Sequence, residues 1–118
     1  MSREGELTQY ANVVLGECAT ESYRPACYDK KIPLLMDQES ITMEEAFRVT
    51  ALIQKQDSEY WYCHVLGHNL ASKEAAKDPA MWAKVIPRCP AGQCSNGCLH
   101  GAFQERYRDE VLSDEKIS

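Results

Sequence analysis

Six cysteines in 118 residues, Cys18, Cys27, Cys63, Cys89, Cys94 and Cys98, constrain this chain more than any other feature, because their use decides which folds are open to it. An even count at about one residue in twenty is the pattern of a disulfide framework, by which a small domain in an oxidising compartment supplements a limited core. The compartment predicted from this is secreted or periplasmic. The opening MSREGELTQY is polar and carries no signal peptide, and a chain beginning just after a cleavage site or anchor would read the same way. The competing use of the sulphurs is zinc. Cys89-x4-Cys94-x3-Cys98-x-His100 places four potential ligands within twelve residues, but no Cys-x2-Cys knuckle of a finger or ribbon occurs.

Loop lengths suggest a pairing. Cys18 and Cys27 flank the turn-prone ATESYRPA and are expected to close a short loop at the end of the first helix. Cys94 and Cys98 would stand one helical turn apart, where a bridge fits poorly, whereas Cys89 and Cys94 bracket PAGQ. Cys63 is then left for Cys98, a bond that would draw together two segments each carrying histidine.

Hydrophobic periodicity reads as helix throughout. Leu7, Tyr10, Ala11, Val14 and Cys18 recur at spacings of three and four, predicting a helix over Glu4–Glu17. Pro25 and Pro33 interrupt the next stretch, so 19–38 reads as a turn, a short helical piece near 23–30 and an extended link. Thr42 with Glu45 makes a capping box, and Met43, Ala46, Phe47, Thr50 and Ile53 line one face of a helix to about Lys55. Asp57 or Ser58 can cap a third helix, or a kinked continuation, carrying Tyr60, Trp61, His64, His68 and Ala71 as far as residue 77. Asp78-Pro79 opens a short helix that includes Trp82, expected in the core, and ends at Pro87. PRCPAGQCSNG reads as a loop and Cys98–Leu112 as a final helix. The predicted fold is an all-α, small disulfide-stabilised bundle of four to five helices with a Cys-rich loop before the last helix. Residues 1–118 form a single domain in this reading, frayed at 1–3 and 113–118.

The charge balance narrows the function. Thirteen Lys and Arg against eighteen Asp and Glu give a net −5, and the basic residues are scattered, which argues against nucleic acid. No apolar run approaches the roughly 18 residues of a membrane span. No His-Glu-x2-His motif, nucleophile elbow or glycine-rich phosphate loop occurs.

What stands out is that each histidine lies beside a cysteine or one residue from it, in Cys63-His64-x3-His68 and Cys98-x-His100. His64 and His68 share one helix face, and Gly67 and Gly101 would let two backbones approach closely beside them. With Cys63 bonded to Cys98, His100 would complete a three-histidine site with a vacant position. The leading expectation is therefore an extracytoplasmic domain binding a transition metal, zinc or copper, through His64, His68 and His100. A non-covalent haem on histidine axial ligands is the lesser cofactor expectation, since the covalent Cys-x2-Cys-His motif is absent.

The alternative is a metal-free, disulfide-stabilised protein-interaction or ligand-binding module. In it, the consecutive aromatics Tyr60, Trp61 and Tyr62 are either core plus rim or the anchor of a partner surface. A third reading is a metal-dependent hydrolase with Glu105 as base, although a solvated Glu in ERYRDE explains that residue as well. Cys63 and His64 are neighbours pointing about 100° apart on a helix and so do not form a nucleophilic dyad. Whether the chain is an enzyme is left open by these residues.

Overall fold

The computed structural model describes residues 2–77, 82–90 and 93–98. All regular structure there is helical, as predicted: α1 (Arg3–Cys18), α2 (Arg24–Gln38), α3 (Met43–Gln56), α4 (His64–Ala76) and the short α5 (Trp82–Val85), then 3-10 turns at Ile86–Arg88 and Gln93–Asn96. The start proposed at Asp78-Pro79, the final helix after Cys98 and the tail lie outside the described residues, as do His100, Gly101 and Glu105. The chain divides into two compact units, Met1–Cys63 and His64–Ser118.

In the first unit α1, α2 and α3 each pack on the other two. The Ser2 hydroxyl accepts from the Gly5 N–H and starts α1. Leu7, Ala11, Val14 and Cys18 are buried on one stripe, as their spacing requires. The capping box of α3 is present in full, with Thr42 and Glu45 exchanging side-chain and backbone bonds, and all five residues predicted for its inner face are buried. Thr50, fully buried, satisfies its hydroxyl by donating to the Ala46 carbonyl at 2.8 Å.

Two expectations are corrected in this unit. The stretch 19–38 is not a short helical piece with an extended link; α2 runs unbroken from Arg24 to Gln38 with Pro33 inside it. An interior proline costs roughly 3 kcal/mol. Burial of Tyr28, Ile32, Leu35 and Met36 offsets this, because each large side chain removed from water contributes about 1.5–3 kcal/mol.

Tyr60, Trp61 and Tyr62 do not lie on a helix. Asp57 ends α3 instead of capping the next helix, residues 60–63 are irregular, and α4 begins at His64. The cause is the use made of Asp57. Its carboxylate accepts from Arg24 Nε at 2.7 Å, Tyr28 Oη at 2.6 Å and the Glu59 N–H at 3.1 Å, so α2 and the end of α3 converge on it.

The Asp57 carboxylate is only 11% exposed, and its bonds to Arg24 and then Tyr28 hold it well below the usual carboxylate range. Arg3 does the same for the more exposed Glu45, pulling it down to about 2. Both folded values lie below the unfolded ones, so their stabilisation is present at neutral pH and is lost as pH falls through them. Burial shifts Asp29 upward, with the opposite sign: its contribution is present in acid and fades as pH rises. The wild-type melting temperature is expected to fall between about pH 4.5 and 2. Asp57→Asn should cost about 1–3 kcal/mol at pH 7, at the low end because Arg24 is partly solvated, and should flatten that fall. Melting curves across this range check it; parallel profiles for the two proteins would rule Asp57 out as the acid-sensitive group.

In the second unit α4 packs on α5 and on the 3-10 turn Gln93–Asn96. Leu66, Gly67, Leu70, Ala71 and Ala75 form its buried stripe. Glu74 draws the neighbouring turn to the helix through Arg88 at 3.1 Å and also meets Lys77 at 2.9 Å. Val85 is buried as α5 closes, and Pro87 falls inside the adjoining 3-10 turn. The side chain of Trp82, expected in the core, is outside the described part of the structure.

All six cysteines are disulfide-bonded. Cys18–Cys27 forms as expected, with Cα atoms 5.7 Å apart. Cys98, however, bonds Cys89, Cα to Cα 5.5 Å, so the expected Cys63–Cys98 and Cys89–Cys94 bridges do not exist. The reason is the backbone at Cys94. It takes the left-handed conformation, φ 54°, and its Cβ lies 3.1 Å from the point a Cβ on Gly67 would occupy, so the side chain faces α4.

Candidate functional site

Two of the three predicted histidines, His64 and His68, lie within the described residues. His64 and His68 stand one turn apart at the start of α4, both half-buried, with ring centroids 5.5 Å apart. The close backbone approach predicted beside them is present, but its partner is Gly97. A Cβ on Gly97 would overlap the His64 carbonyl oxygen and fall 3.1 Å from the His68 nitrogen, and one on Gly67 would fall 3.2 Å from the Gly97 Cα. Two facing glycines let the stretch of chain before Cys98 lie directly on the first turn of α4.

This contact does not assemble a metal centre. Among the described residues no group of three or more His, Cys, Asp or Glu is placed to hold a metal ion. Cys89, Cys94 and Cys98 are consumed by disulfides, which removes the thiolates of the zinc reading. The expected Cys63–Cys98 bond that would have carried His100 toward the pair is absent. The metal-binding function is therefore overturned, and the metal-dependent hydrolase loses its centre with it; Glu105 is outside the described residues.

The aromatic group is divided by the irregular segment that carries it. Tyr60 is fully buried, its ring 4.9 Å from that of Tyr28 and inclined at 54°. Its hydroxyl donates to Asp29 at 2.7 Å, and burial, reinforced by that carboxylate, pushes the phenol well above its ordinary range. Cys63 is also buried and accepts from Gln54 Nε2 at 3.4 Å. Between these two fixed points Trp61 and Tyr62 turn outward, 78% and 50% exposed, with ring centroids 5.6 Å apart. Sequence reasoning named all three aromatics, and core plus rim describes their burial. It missed Asp29 and Arg24 and read Asp57 only as a helix cap, although all three fix the segment. The legible signal was Asp57 just ahead of an acidic and aromatic run, where its residue type suggests a cap.

A concavity of about 420 Å³ lies at the corner of α1 and α2, lined by Tyr23, Cys27, Lys30 and Lys31 among others. Lys31 is paired with Glu17 at 3.1 Å. Nothing in the sequence pointed to it, because its lining comes from the turn before α2 and from ordinary positions along that helix.

Among the described residues no helix is long and apolar enough to cross a membrane. No protein-family model, curated protein or solved structure matches this chain.

Proposed function

We propose that this chain is a metal-free, disulfide-stabilised helical module of an oxidising, extracytoplasmic compartment, secreted or periplasmic, that engages a protein partner through Trp61 and Tyr62. The observation carrying this reading is the pair of outward aromatic rings held between two buried anchors, Tyr60 and Cys63. Solvent exposure of a Trp by 78% leaves most of a large apolar surface in water, and its removal from water on binding is the driving force such a surface supplies. Fixing the backbone on both sides lowers the ordering cost of association. Trp and Tyr are also the residue types that dominate binding energy at interfaces. Full oxidation of the cysteines supports the compartment.

A photo-activated benzoylphenylalanine in place of Tyr62 is expected to give a discrete cross-linked adduct in the native extracytoplasmic fraction. The same group in place of Val13, exposed on α1, should not. Trp61→Ala should remove the adduct by weakening binding about 30-fold or more, the loss of a hot-spot residue, while shifting stability by no more than about 0.5 kcal/mol. Equal labelling from positions 62 and 13, or an adduct indifferent to Trp61, would remove the basis of the proposal.

A further inference from the structure

The charge of the molecule is unevenly placed. Residues 1–63 contain eleven Asp and Glu against six Lys and Arg, whereas residues 64–118 are balanced at seven and seven, so the whole net charge of −5 belongs to the first unit. The aromatic pair is part of that unit. Directly before it, Asp57 and Glu59 share one guanidinium, Arg24, at 2.7 and 2.5 Å. Two carboxylates on one cation leave a residual negative charge, the nearer of them two residues before Trp61 in the chain, and the Glu59 side chain is 41% exposed. An accessible indole is the best of the aromatic faces for a cation. An anionic occupant, whether nucleic acid or an acidic lipid surface, would meet repulsion from the same unit.

We propose that the Trp61–Tyr62 pair receives an arginine or lysine side chain from a basic segment of the protein partner, with the indole face and the Glu59 carboxylate as its two contacts. The inference rests on the aromatic pair being a protein-binding surface and adds the chemistry of what it binds. Arginine fits both contacts at once, since its planar guanidinium stacks on a ring while its edge donates to a carboxylate.

Three peptides of one length test this on the full oxidised protein: glycine spaced by arginine, by citrulline, which keeps the shape and loses the charge, and by glutamate. The readout is the Trp61 indole N–H resonance, assigned by its loss in Trp61→Phe. The arginine peptide is expected to shift it saturably, the citrulline peptide to bind at least about fivefold more weakly, and the glutamate peptide not to bind. By titration calorimetry, which does not need the indole signal, Trp61→Ala should weaken the arginine peptide about fivefold with an unchanged melting temperature, and Glu59→Gln by a smaller factor. Citrulline binding as well as arginine, or an affinity unaffected by Trp61→Ala, overturns the proposal, the latter marking diffuse attraction to an acidic surface. Failure of all three peptides overturns the cationic occupant, while cross-linking from position 62 reports separately whether the surface binds protein at all.

Discussion

Reduction with excess dithiothreitol at neutral pH is expected to turn a cooperative thermal transition into a broad or missing one, with loss of most helical signal at 37 °C. The Cys18–Cys27 and Cys89–Cys98 bonds each span a sequence separation of 9. Closing a loop of that size in the unfolded chain contributes roughly 2–3 kcal/mol per bond. Together they supply about 5 kcal/mol, which is comparable with the entire stability of a small domain at the lower end of the usual range. The bonds also act where other interactions are sparse. Cys18–Cys27 ties the last residue of α1 to the first turn of α2, whose N-cap, Tyr23, makes no side-chain cap bond. Cys89–Cys98 closes a segment whose described residues include the short 3-10 turn Gln93–Asn96. Cys18→Ala with Cys27→Ala, leaving the other cysteines oxidised, should therefore lower the melting temperature by about 10 °C. Thiol titration paired with circular dichroism decides the matter: six free thiols with an unchanged spectrum and melt would show that the sulphurs do not hold the fold.

How much of this was legible in the sequence depended on whether the signal was local. The ends of α1 and α3 were read to within a residue or two because their caps and apolar stripes are encoded within one or two turns. The same local logic failed at Pro33, where the deciding term was burial of Ile32, Leu35 and Met36 against other helices. It failed again at Asp57, a good N-cap by type that is drawn instead to Arg24 and Tyr28, some thirty positions earlier. Pairing of Cys89 with Cys98 could not be read from spacing, since it depends on a left-handed residue at Cys94 and on two glycines meeting across α4. The histidine site illustrates the same boundary. His64 and His68 do stand together on α4, as a helical spacing of four dictates, but the disulfide expected to bring a third ligand to them is not the one the chain makes, and His100 is outside the described residues.

Tyr60→Ala is expected to be the most damaging single substitution in the first unit, at about 3–5 kcal/mol. Tyr60 is fully buried, so truncation leaves a cavity the size of a ring, and large-to-small changes of an aromatic core residue carry that cost. Two further losses accompany it: the inclined contact with Tyr28, of a kind contributing about 0.5–1.5 kcal/mol, and the hydrogen bond to Asp29. Tyr60→Phe separates these, keeping the ring and removing only the hydroxyl, with an expected cost of about 1–2 kcal/mol because the half-buried Asp29 carboxylate loses its donor. Both variants are measured by urea unfolding. The functional consequence distinguishes Tyr60 from an ordinary core residue. It is the inner anchor from which Trp61 turns outward, so Tyr60→Phe should leave binding at Trp61 close to wild type, while Tyr60→Ala should weaken it even where the protein remains folded. If Tyr60→Ala bound as tightly as wild type at a temperature where both are folded, the aromatic pair would not depend on a fixed backbone, and pre-organisation could not be the source of its affinity.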